Sequence, residues 1–92
     1  MDVIRLDGSE LTQRTQTMEL LGQALDLPEW WGRNLDALYD CLTQPDRPRC
    51  LELRNRAAMA ETPFGRRLLR VLRDAAAENP LLELAEREWE TG

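Results

Sequence analysis

Three short strand-like runs, Asp2 to Leu6, Arg49 to Leu53 and Leu81 to Leu84, are separated from one another by long segments of helical period. A tight hairpin cannot join strands spaced this way. Crossover connections are required, and they favour a small, mainly parallel sheet. The first run carries Val3, Ile4 and Leu6 and closes at an Asp7-Gly8 turn signal. In the third, Leu81-Leu82-Glu83-Leu84-Ala85 also suits an extension of the preceding helix. Between the first two runs, Met18, Leu21, Ala24 and Leu25 recur at helical spacing from about Thr15 to Leu25, with Thr15 as N-cap. A second helix, about Leu35 to Thr43, is capped by Asn34 and turns Leu35, Leu38 and Leu42 inward. Gln44 to Pro48 is a breaker-rich loop, and a short helical turn is expected over Arg56 to Ala60. Thr62-Pro63 then reads as N-cap and first helical position. The apolar face Phe64, Leu68, Val71, Leu72, Ala75 and Ala76 continues to a stop at Asn79-Pro80. Glu86 to Gly92 reads as a flexible acidic tail. The expected architecture is one α/β domain over residues 1–92, a small three-stranded parallel sheet packed with three to four helices.

Ninety-two residues build one core, burying roughly 60 to 65% of the surface the unfolded chain exposes, which leaves little for a deep pocket. No run approaches the ~18 consecutive apolar residues of a membrane span, and the N-terminus lacks the layout of an export signal. A soluble, cytoplasmic protein, monomeric when free, is expected, with Cys41 and Cys50 reduced rather than paired. Seventeen acidic residues against twelve arginines, and no lysine, give a net charge of −5. That charge repels nucleic acid and anionic membranes and points to a basic protein partner. With no histidine anywhere, histidine-dependent triads and the usual zinc sites are excluded; no metal, cofactor or catalytic residue is expected.

The informative stretch is Leu25 to Thr43. Asp36 and Asp40 lie four apart, hence on one helix face, with Tyr39 beside both. Two like charges at that spacing cost roughly 0.2–0.5 kcal/mol. Asp40 also falls in the last turn, where the helix dipole disfavours an anion by about 0.3–1 kcal/mol. Local violations of this kind concentrate at functional sites. The plainer alternative pairs Asp36 with Arg33 and leaves Asp40 as an ordinary solvated charge. Asp74 and Glu78 form a second acidic pair, offset by Arg70 four residues before Asp74. The adjacent Trp30 and Trp31 are expected to divide the work, one packed inward and one exposed for contact. Trp89 in the acidic tail is expected to dock on the domain.

These residues resemble the barstar family, intracellular inhibitors of the extracellular ribonuclease barnase. The likeness centres on Leu27-Pro28-Glu29, two aromatics, Gly32, Asn34-Leu35-Asp36-Ala37-Leu38, an aromatic, and Asp40-Cys41-Leu42-Thr43. Weaker similarity covers the N-terminal strand with its Asp7-Gly8 turn, Pro48 with Leu51-Glu52, and Leu72-Arg73-Asp74-Ala75. The resemblance implies an inhibitor of a basic secreted ribonuclease, or of a related toxin, that plugs the enzyme's active site. It implies that Asp40 stands in for an RNA phosphate. Trp30, Gly32, Asn34, Leu35, Asp36 and Tyr39 would complete the contact face, with Asp74 as an outlying acid. The chain departs from the family in three places. Trp30 stands where tyrosine is common and Tyr39 where tryptophan is common, Asp74 replaces a glutamate, and the loop Gln44 to Arg47 is shorter and lacks an aromatic.

Overall fold

A computed structural model describes residues 2–44 and 47–87. Among them the chain runs β1 (Asp2–Asp7), a 3-10 turn (Gly8–Glu10), α1 (Arg14–Ala24), α2 (Leu35–Leu42), β2 (Arg49–Arg54), α3 (Arg56–Met59), α4 (Pro63–Glu78) and β3 (Leu82–Arg87). The strands lie in the order β1-β2-β3, and both pairs are parallel. This is the expected small parallel sheet with four helices.

The strand order decides where the helices go. Both crossovers step the same way across the sheet, and right-handed connections therefore carry both sets of helices to one face. Leu6, Leu51, Leu53 and Leu82 point into that face and join Leu11, Leu21, Leu38, Leu42, Leu68 and Leu72 in a single core. The opposite face carries no helix among the described residues, although Cys50 in the central strand is buried there. It carries Val3, half exposed at 52%, and Glu52 ringed by Arg5, Arg54 and Arg87 at 3.4, 3.8 and 3.9 Å. No helix of the described residues is long and apolar enough to cross a membrane.

The caps follow the sequence at two helices and depart from it at one. Asn34 Oδ1 accepts from the Ala37 amide at 2.7 Å, and Thr62 Oγ1 accepts from the Gly65 amide at 2.9 Å. Thr15, expected to cap α1, instead lies inside its first turn. The helix starts at Arg14 with extended backbone at Gln13, whose side chain makes no capping bond. Arg14 reaches over the Phe64 ring of α4 at 5.1 Å, a tertiary contact that no local pattern announces.

The expected tail from Glu86 also needs correction, because β3 continues through Arg87. Glu86 faces the helices. Arg73 Nε and Nη2 donate to it at 2.7 and 2.6 Å, and Arg56 Nη1 at 2.8 Å. The Arg73 hydrogen bonds, helped by those from Arg56, outweigh burial and hold its carboxyl down at about 2. The docking expected of Trp89 lies outside the described residues.

Candidate functional site

The loop between α1 and α2 is held by backbone before any side chain acts. Leu27 N donates to Gly22 O at 2.9 Å and Trp31 N to Pro28 O at 3.1 Å. Three of its residues sit in the left-handed region: Asp26 at φ 53°, Gly32 at 89° and Arg33 at 52°. At Gly32 any side chain would be strained by that φ, and its Cβ would also come within 3.2 Å of the Ala37 methyl. The result is a turn that divides the tryptophan pair. Trp31 is buried at 3% exposure, its indole against Gly22 of α1, while Trp30 is 83% exposed.

Next to Trp30, α2 presents its acids. Leu38 and Leu42 are fully buried, which turns Asp36 and Asp40 outward to water, with Leu35 and Tyr39 half-buried at the flanks. Among the described residues neither Asp36 nor Asp40 makes an ion pair or a side-chain hydrogen bond. Arg33, the sequence candidate for pairing Asp36, instead approaches Glu19 at 3.4 Å and donates to Glu29 O at 3.4 Å. The last turn of α2 holds no basic residue. Asp40 therefore carries the dipole penalty without local relief.

Asp40 and Trp30 line a common groove of about 510 Å³ together with Leu25, Asp26, Leu27, Pro28, Cys41, Gln44, Arg47 and Arg49. Burial, and secondarily the Asp40 charge, push the Cys41 thiol up, so the groove offers no activated nucleophile. Both cysteines are free thiols. Among the described residues no group of three or more histidine, cysteine, aspartate or glutamate side chains could hold a metal ion. Chemically, the exposed Asp40 carboxylate and the Trp30 ring offer an anion beside a flat aromatic surface, with Arg47 and Arg49 lining the same groove.

The other sequence candidates fall around it. Gly32 and Asn34 are exposed at the start of α2, Asp36 is exposed on its outer side, and the half-buried Leu35 and Tyr39 pack against the core; none of these lines the groove. Asp74 is exposed on α4, 3.9 Å from Arg70 as its spacing suggested, and it does not line the groove either. One contributor escaped the sequence reading. Asn79, taken there only as a helix stop, is 2% exposed and donates from Nδ2 to Leu42 O and Gln44 O at 3.0 and 3.3 Å.

The chain thus joins a one-sided parallel α/β sheet to an acidic helix beside a tryptophan-bearing loop. The family described as barstar (barnase inhibitor) matches residues 1–90, and the chain belongs to that family. A protein of Bacillus subtilis (strain 168), named "Putative ribonuclease inhibitor YrdF", is 43% identical over 56 residues, 60% of this chain. The match spans 62% of that relative's length.

Proposed function

We propose that this protein is a cytoplasmic, non-catalytic inhibitor of a small basic secreted ribonuclease. Its Asp40 carboxylate enters the enzyme's cationic cleft in place of an RNA phosphate. The observation that supports this most is the state of Asp40: exposed, without an ion pair among the described residues, at the unfavourable end of its helix and beside the exposed Trp30. Such an anion gains in a cationic cavity what it lacks in the free protein. Trp30 supplies a rigid aromatic wall of the kind found at interface hot spots, and Asp36 extends the negative field that steers a basic enzyme inward. Gly32, Asn34, Leu35 and Tyr39 frame the contact, with Asp74 at its margin. The family membership and the relative's name support a ribonuclease as the target. The short loop at Gln44 to Arg47 and the exchanged aromatics at Trp30 and Tyr39 favour a second reading, in which the same face neutralises a different basic toxin.

Inhibition titrations against a panel of small secreted ribonucleases, barnase among them, distinguish the two. The ribonuclease reading expects stoichiometric inhibition of at least one enzyme, with association slowed by added salt. Inhibition of none, with tight binding to a non-ribonuclease toxin, would favour the second.

A further inference from the structure

The end of α2 that carries Asp40 is tied down from outside the helix. Carbonyls of a final turn run short of intrahelical partners; Tyr39 O accepts from the Thr43 amide at 3.0 Å, and two side chains add further donors. The Thr43 hydroxyl donates to Tyr39 O at 2.9 Å and Asp40 O at 3.2 Å. Asn79 Nδ2 donates to Leu42 O and Gln44 O, 37 and 35 positions earlier in the chain. The same side chain accepts from Leu81 N at 3.0 Å through Oδ1, while its backbone accepts from Leu82 N and donates to Ala75 O. Asn79 thus joins the end of α4, the start of β3 and the end of α2 with all its polar atoms engaged. Only a carboxamide does this, because it brings two N–H donors and an acceptor on one short stem. A helix stop before Pro80 needs none of that; residue 79 is extended at φ −110°, a conformation open to any side chain.

We infer that Asn79 is a positioning residue for the acidic face, holding the last turn of α2, and with it the Asp40 carboxylate, in the geometry that a cationic partner meets. The inference rests on the role proposed for Asp40. Fixing that turn in the free protein removes an ordering step from binding, so its loss is expected in affinity beyond any loss in folding.

Cys41 lies in the same turn, half-buried, and Cys50 is buried in β2, so the two thiols form an internal comparison. Native-state labelling with an aromatic disulfide reagent then reports local opening. In Asn79→Ala, and in Asn79→Ser should the alanine variant not fold, Cys41 is expected to label at least ~10-fold faster relative to Cys50. Inhibition, by the same variants, of a ribonuclease that the wild type inhibits is expected to weaken by about 10-fold or more, with no further loss when Asp40→Ala is already present. Met59→Ala, a core truncation in α3, leaves the labelling ratio and the inhibition of the folded protein unchanged. An unaltered labelling ratio overturns the inference. So does faster labelling with normal inhibition, or an equal loss in the Asp40→Ala background. If wild type inhibits no ribonuclease of the panel, or Asp40→Ala inhibits as well as wild type, the proposed function fails instead, and the labelling ratio alone decides whether Asn79 holds the turn.

Discussion

Trp30 and Trp31 are neighbours in sequence with opposite surroundings, and they separate stability from binding. Trp31→Ala removes a buried indole and should destabilise the fold by about 3–5 kcal/mol in urea unfolding. Trp30→Ala should leave stability within about 0.5 kcal/mol while weakening inhibition of the target. The sequence supports an expectation that the pair divides between core and contact, since it places both in a loop bounded by Pro28 and Gly32. Which one packs inward was beyond it, because the answer depends on the left-handed turn at Gly32 and Arg33 and on the space over Gly22. A second residue-scale prediction concerns Thr17, which is fully buried with no hydrogen-bond partner for its hydroxyl among the described residues. Thr17→Val removes that unmet donor and should raise the unfolding free energy by about 0.5–1.5 kcal/mol.

The helix caps show how far local chemistry reaches. Asn34 and Thr62 were legible because an N-cap bond spans only three residues, and Asn34→Ala should cost about 1 kcal/mol of stability. Thr15 lies within the first turn because the helix already begins at Arg14, with Thr17 N donating to Gln13 O at 2.9 Å, although Gln13 makes no side-chain cap that a sequence pattern would announce. Asn79 and Glu86 escape local patterns because their partners are remote in sequence. The partners of Asn79 lie 37 and 35 positions away, and those of Glu86 lie 30 and 13 away in α3 and α4. A glutamate after the last apolar run looks like tail until the helices supply its arginines. The acidic face was readable in advance, since Asp36 and Asp40 share a face by spacing alone. The groove beside it was not, because its walls come from the α1–α2 loop, α2 and the approach to β2.

Across the whole molecule, charge sets both stability and encounter. Glu86 holds a folded-state pKa near 2, below its ordinary value, so its ion pairs stabilise the fold above the unfolded-state pKa. That contribution is lost as pH falls from about 4.5 toward about 2. Discounted for arginines that are nearly half exposed, it amounts to about 1–2 kcal/mol. Glu86→Gln should be less stable than wild type by that amount at neutral pH, and the gap should close as the pH approaches 2 in urea titrations across the acid range. The helices lie on one side of the sheet, and the acidic face belongs to that helical layer, built on a core that needs none of its charges. Asp40 can therefore be altered with little harm to the fold. The inhibition constant of Asp40→Asn, measured against a ribonuclease that the wild type inhibits, tests the central claim most directly. The variant keeps the size of the side chain and removes its charge, and the expected result is a loss of ~100-fold or more. Undiminished inhibition by the neutral side chain would contradict a role for Asp40 as a phosphate surrogate.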